Sequence, residues 1–99
     1  MTTDIYGEVS NLQDIRDINR KIRQEMNAVR GRDQLTELKK RSDYLCTLTR
    51  APSWQKRFGN KSDKYLEVAR KEDQTTTNRA NSIAKRKGFD VQYHPWRGG

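Results

Sequence analysis

The chain has 99 residues and a formal net charge of +8 at pH 7, with 34% charged and 31% apolar residues. That length is typical of one domain, so we treat residues 1–99 as a single domain. No stretch approaches the ~18 consecutive apolar residues that cross a bilayer, and the single cysteine excludes an intramolecular disulfide.

The amino-terminal residues predict an arm followed by the start of a helix. Residues 1–9 lack the basic start and the apolar core of a signal peptide, so we expect an N-terminal arm on a cytoplasmic protein. Ser10 and Gln13 have the spacing of a capping box. We expect a helix over residues 11–30, ended by Gly31 in the left-handed conformation that glycine tolerates.

A seven-residue apolar repeat runs through this helix and restarts after Gly31. Its members are alternately three and four residues apart, which places them on one stripe of a helix. A second helix is predicted over residues 33–49, capped by Asp33 and stopped by Ala51-Pro52. The short break predicts an all-α antiparallel hairpin with coiled-coil-like packing. The two series are Leu12, Ile15, Asn19, Ile22, Met26 and Val29, then Leu35, Leu38, Ser42, Leu45 and Leu48.

The stripe on the first helix is wider than one partner helix needs, because Ile18 lies beside the seam where heptads usually place a charge. This width favours a three-helix core or a homodimer built on the hairpin. Another helical protein is the remaining candidate to cover the open side of the hairpin. Asn19 either fixes the register and oligomeric state through a like partner or points to the rim. The predicted interaction stripe consists of Leu12, Ile15, Ile18, Asn19, Ile22 and Met26.

Three elements are predicted beyond the hairpin. Residues 52–58 are expected to form a short helical turn, and residues 62–87 a third helix. Three adjacent threonines, at 75–77, lower helix propensity enough to allow a break near Thr75. The tail, residues 89–99, is predicted to be non-helical. Its Tyr93 and Trp96 are expected to dock on the open face of the bundle or on another protein, with weak packing as the alternative.

One basic run alternates with aromatic residues. Cations beside aromatic rings can bind a phosphate backbone and stack on bases, so this segment is a candidate nucleic-acid patch. The competing interpretation is that Trp54 anchors the connector to the hairpin while the charges face water. The candidate patch consists of Trp54, Lys56, Arg57, Lys61 and Lys64.

Residue patterns typical of catalysis are absent. A nucleophile–base pair needs Cys46 and His94, the only cysteine and histidine, and nothing in the sequence brings them together. Without phosphate loops or metal-ligand spacings, we expect no catalytic residue, metal, cofactor or small-molecule substrate. Glu72 and Asp73 are expected on a solvated face. The predicted function is a non-enzymatic interaction module that forms a dimer or binds a partner helix, with nucleic-acid binding as the alternative.

Overall fold

Three long helices pack against one another in the computed structural model of the protein, which describes residue 9 and residues 11–98. The elements are α1 (Leu12–Met26), α2 (Arg32–Thr49), the short α3 (Pro52–Phe58), a 3₁₀ turn (Gly59–Lys61) and α4 (Ser62–Lys87). The prediction of an all-α hairpin with a third helix is confirmed. None of the described helices is both long and apolar enough to cross a membrane.

α1 begins one residue later than predicted and also ends earlier. Its N-cap is Asn11, whose Oδ1 accepts from the Asp14 N–H at 3.0 Å while the Asp14 carboxylate accepts from the Asn11 N–H at 3.2 Å. The predicted cap, Ser10, lies outside the described residues, as do residues 1–8 of the predicted arm. Beyond α1 the chain continues in tight turns. There the Val29 carbonyl accepts from the Lys87 ammonium at 2.7 Å, which ties the end of α1 to the end of α4.

The glycines between helices have different backbone conformations. Gly31 is the N-cap of α2 with extended backbone (φ −150°, ψ 165°), so the predicted left-handed conformation is wrong there. Asp33, the predicted cap, lies instead in the first turn of α2, where a carboxylate still faces the positive end of the helix dipole. Gly59 has φ 59° and ψ −133°, which is nearly exclusive to glycine. Gly88 ends α4 in the left-handed region, at φ 76°.

α4 runs unbroken through its three threonines. Thr75 and Thr77 donate their hydroxyls to carbonyls one turn earlier, those of Lys71 and Asp73, at 3.3 and 2.7 Å. Thr76 is buried and donates to α1. These bonds and the burial compensate for the low helix propensity of β-branched residues, so the break near Thr75 does not occur.

The core consists of two apolar clusters with a polar layer between them. α4 contributes to both clusters because it lies along the open side of the hairpin, and Ile18 packs against both. The hairpin seam is therefore closed within the chain. One cluster contains Ile22, Met26, Val29, Leu35, Leu38, Ala80, Ile83, Ala84 and Tyr93, and the other contains Val9, Ile15, Leu45, Cys46, Trp54, Tyr65, Val68 and Ala69.

Alanine substitutions at two glycines test the assigned backbone conformations. Gly59→Ala is expected to lower the free energy of unfolding by about 1–3 kcal/mol, because its positive φ disfavours any Cβ. No atom lies within 4 Å of the added Cβ, so the cost is conformational rather than steric. Gly31→Ala is the matched control. It adds a Cβ in equally open space at a negative φ and should change stability by less than about 1 kcal/mol. Urea denaturation followed by circular dichroism measures both, and equal losses would contradict the assignment.

Candidate functional site

The predicted interaction stripe lies inside the molecule. It packs against α2 and α4 of the same chain, so of the alternatives that the width of the stripe left open, the three-helix core is the one observed. Heptad spacing identifies a buried face without specifying which chain buries it. Leu12 and Ile18 are partly buried, and the other members, Ile15, Asn19, Ile22 and Met26, are fully buried.

The surface offers little apolar area for a partner helix. Among the described residues, the only large apolar side chain that is exposed is that of Tyr44, at 47%. Helix-in-groove recognition needs several apolar anchors on one face. In the described part of the chain, charged and small polar side chains dominate the surface instead.

Asn19 is buried rather than at the rim, and its hydrogen-bond partners within the chain are hydroxyls and a backbone carbonyl rather than a second asparagine. Its Oδ1 accepts from the Thr76 hydroxyl at 3.0 Å and lies 2.8 Å from the Ser42 hydroxyl, while its Nδ2 donates to the Ile15 carbonyl at 3.1 Å. Ser42 is also 2.8 Å from Oδ1 of Asp73, and its single proton is shared between these two acceptors. A buried polar layer thus joins α1, α2 and α4.

Asp73 is the central group of this layer. It is 1% exposed, although the sequence predicts a solvated face for it. Its Oδ1 lies 3.4 Å from the Lys39 ammonium, and its Oδ2 accepts from the Trp96 N–H at 2.7 Å. Lys39 is also buried and donates to Asp43. One ammonium group therefore lies between two carboxylates, of which Asp73 is buried and Asp43 is half-buried.

The second carboxylate, that of Asp43, is sensitive to this crowding. Burial is the largest cause that raises the pKa of Asp43; Asp73 also raises it and Lys39 lowers it, and the net pKa is about 6. Protonation of Asp43 leaves the single carboxylate of Asp73 to balance the ammonium of Lys39.

The sequence contains a signal for this buried polar cluster. The polar middle of α4 interrupts the apolar pattern of that helix, as Asn19 and Ser42 interrupt the apolar seams of the hairpin.

The predicted nucleic-acid patch separates into a buried ring and exposed cations. Trp54 is buried, with its ring centroid 4.7 Å from that of Phe58 and 5.7 Å from that of Tyr65. It therefore anchors the connector and cannot stack on a base. The cations remain exposed at this end of the bundle, together with Arg50 at the end of α2. We call these residues the basic end: Arg50, Lys56, Arg57, Lys61 and Lys64.

The tail folds back along the bundle, with no helix or strand over residues 89–98. Tyr93 is buried, and its hydroxyl lies 2.8 Å from that of Thr36 on α2. Trp96 is half-buried and donates its indole N–H to the Thr47 hydroxyl at 3.0 Å. Of the destinations that the sequence left open for these two rings, the chain itself is the one observed.

The sequence predicts no catalytic residue, and the only candidates for a nucleophile–base pair are Cys46 and His94. Cys46 is fully buried, and burial, with the nearby charges of Asp73 and Asp43 as further causes, raises the pKa of its thiol to about 12. A thiolate nucleophile is therefore not populated at neutral pH. His94 is exposed on the tail. Within the described residues, no group of three histidine, cysteine or carboxylate side chains is placed to hold a metal ion.

The raised pKa of Asp43 predicts a pH dependence of stability. A carboxyl with a raised pKa in the folded state binds its proton more tightly there, so its contribution is largest at low pH and is lost as pH rises from about 4 to about 6. Asp43→Asn removes this titration. The unfolding free energy of the parent minus that of the variant should therefore decrease as pH rises from about 4 to about 6 and stay constant above that range. Urea denaturation at each pH measures both values.

Glu67→Gln is the control for this experiment. A hydrogen bond from the exposed Lys64 lowers the pKa of Glu67, so its contribution should be lost as pH falls, the opposite sign. Parallel pH profiles for the parent and Asp43→Asn would show that Asp43 does not titrate abnormally.

Comparison of the chain with protein-family models, curated proteins and solved structures finds no match. Function is therefore inferred from the chemistry and placement of the side chains themselves. Two features carry that inference, the exposed cations of the basic end and the tail held between α2 and α4.

Proposed function

We propose that this is a non-enzymatic protein that binds the phosphate backbone of double-stranded nucleic acid through its basic end. Phosphate contacts from lysine and arginine supply most of the affinity in binding of this kind, and they require little apolar surface. The proposal therefore suits a surface that is rich in cations and poor in exposed apolar side chains.

The observation that carries the proposal is that these cations have few oxygen partners. Lys56, Arg57 and Lys61 form no ion pair and no side-chain hydrogen bond within residues 11–98. Arg57 lies over the Phe58 ring, with 4.9 Å between its guanidinium carbon and the ring centroid. These cations therefore have donors left for a ligand's oxygens.

Cations elsewhere on the bundle are more often engaged. At the opposite end, Lys87 donates to the Val29 carbonyl at 2.7 Å, and Arg79 donates to the Asn27 side chain at 3.2 Å. Along the sides, Arg20, Lys40 and Arg41 pair with acids: Asp17, Glu37 and Glu25, respectively. These contacts occupy donors of the cations concerned, whereas Lys56, Arg57 and Lys61 have neither an ion pair nor a hydrogen bond of this kind within residues 11–98.

The placement of the aromatic rings favours duplex over single strands as the ligand. Binding of single strands uses exposed rings on which bases stack. At the basic end, Trp54 and Tyr65 are buried and Phe58 is half-buried. Contacts limited to phosphates predict binding without sequence preference. A nucleic-acid ligand also agrees with the cytoplasmic location expected from the sequence.

The test is the salt dependence of duplex binding by two triple variants of equal charge. Lys56→Gln/Arg57→Gln/Lys61→Gln removes three cations from the basic end, and Lys21→Gln/Lys85→Gln/Arg86→Gln removes three exposed cations that lie away from it. Fluorescence anisotropy with a labelled duplex at several salt concentrations gives Kd and the salt slope. The first variant should lower the slope by up to about 3 and the second should leave it nearly unchanged.

Three outcomes contradict the proposal. If the parent protein does not bind duplex at low salt, the function is excluded. If both triple variants weaken binding equally, the ligand responds to net charge and the basic end is not the site. Tighter binding to single strands than to duplex would remove the assignment of the ligand as a duplex.

A further inference from the structure

The tail lies in a groove between α2 and α4 whose side chains contact the tail backbone as well as its rings. The Asn81 amide donates to the Tyr93 carbonyl at 3.0 Å and accepts from the Tyr93 N–H at 2.7 Å. Asp73 accepts from the Trp96 N–H at 2.7 Å. The groups that line this tail groove are Thr36 and Thr47 on α2 and Asp73 and Asn81 on α4.

Paired bonds from one amide side chain to the N–H and C=O of one residue hold a segment that has no strand partner. The N–H and C=O of Tyr93 are satisfied by Asn81 alone, much as an added strand is satisfied by a sheet edge. The rings of Tyr93 and Trp96, three positions apart, supply the specific contacts. These groups fit a non-helical peptide that carries two aromatic residues three positions apart.

We propose that the tail groove is a peptide-binding site whose ligand in trans is the tail of a second copy of this chain, so that two copies exchange tails. All four groove residues precede Gly88, and the tail that they bind follows it. A second copy's tail can therefore make the same contacts unchanged. Exchange of an identical element between copies is a low-cost route to a dimer.

Gly88 is the joint between α4 and the tail. Its backbone conformation determines whether the tail binds the groove of its own chain, the closed form, or that of a second copy, the exchanged form. It turns the chain out of α4 with φ 76°, and the Phe89 N–H then donates to the Ala84 carbonyl at 2.8 Å. A helical residue at position 88 extends α4 and directs the tail away from its own groove. Because the closed contact is intramolecular, with an effective concentration in the millimolar range, we expect the parent to exchange tails only as its own concentration approaches that range.

Gly88→Ala tests this inference directly. An added Cβ meets no atom within 4 Å, so the substitution acts only by disfavouring the left-handed backbone. Alanine disfavours that conformation by at least about fivefold at each joint, and two joints should lower the dimer dissociation constant by roughly thirtyfold. Sedimentation equilibrium over a concentration series measures this, and Gly31→Ala is the control because its φ is negative.

Complementation shows whether the dimer uses the tail groove. In the Gly88→Ala background, Asn81→Ala disables the groove and Tyr93→Ala/Trp96→Ala disables the tail. Each protein alone should be monomeric. Mixed together they form one intact tail–groove pair, and fluorescence transfer between labelled copies should detect a heterodimer. Asn81→Asp, which keeps the acceptor for the Tyr93 N–H, replaces Asn81→Ala if circular dichroism shows that the latter is unfolded.

Three results overturn the inference: Gly88→Ala remains monomeric at millimolar concentration, the groove variant dimerises as well as its parent, or the mixture yields no heterodimer. None of these results bears on nucleic-acid binding, because the tail groove and the basic end use different residues. Loss of duplex binding with retained tail exchange would likewise leave this inference intact.

Discussion

The carboxylate of Asp73 is the group on which the arrangement of the molecule depends. It belongs to α4, its Oδ1 accepts from α2, and its Oδ2 accepts from the tail. A buried carboxylate without donors costs several kcal/mol, so each of these donors constrains the position of its element. The relative placement of α2, α4 and the tail is therefore set by one side chain, while the two apolar clusters supply most of the burial.

This polar layer also selects one register among several that the apolar residues alone would accept. A slide of α4 by one helical turn, three or four residues, would bring Asp73 level with the leucines of α2 that flank Ser42 in the heptad series, Leu38 and Leu45. The carboxylate would then lose its hydroxyl and ammonium donors inside the core. Polar residues at core positions commonly reduce stability and restrict pairing in this way, and here the restriction acts between helices of one chain.

The sequence predicts the helices well because their signals are local. Apolar spacing, a proline at the start of α3 and a glycine after α4 act over one or two turns, and the helix bounds follow them closely. Heptad spacing also identifies the face of α1 that is buried. It does not identify the element that covers this face, because that depends on contacts between residues distant in sequence, such as the 57 positions from Asn19 to Thr76.

In the candidate sites, too, the features that depend on nearby residues could be predicted and those that depend on contacts between helices could not. The exposure of the lysines at the basic end follows from their charge, and the burial of Trp54 follows from the aromatic residues around it. The burial of Asp73 could not be obtained from its neighbours, because a charged residue next to Glu72 normally faces water. Only its alignment with Asn19 and Ser42, two other polar residues at seam positions, distinguishes it, and that alignment requires the register of three helices.

The hydrogen bond from Trp96 to Asp73 links the position of the tail to the hydration of the core. The donor follows the acceptor by 23 positions and lies outside all three long helices. If the tail leaves its groove, Oδ2 of Asp73 loses its amide donor, and a buried carboxylate without donors must then be hydrated. Release of residues 89–98 therefore requires water to enter the polar layer between the two apolar clusters.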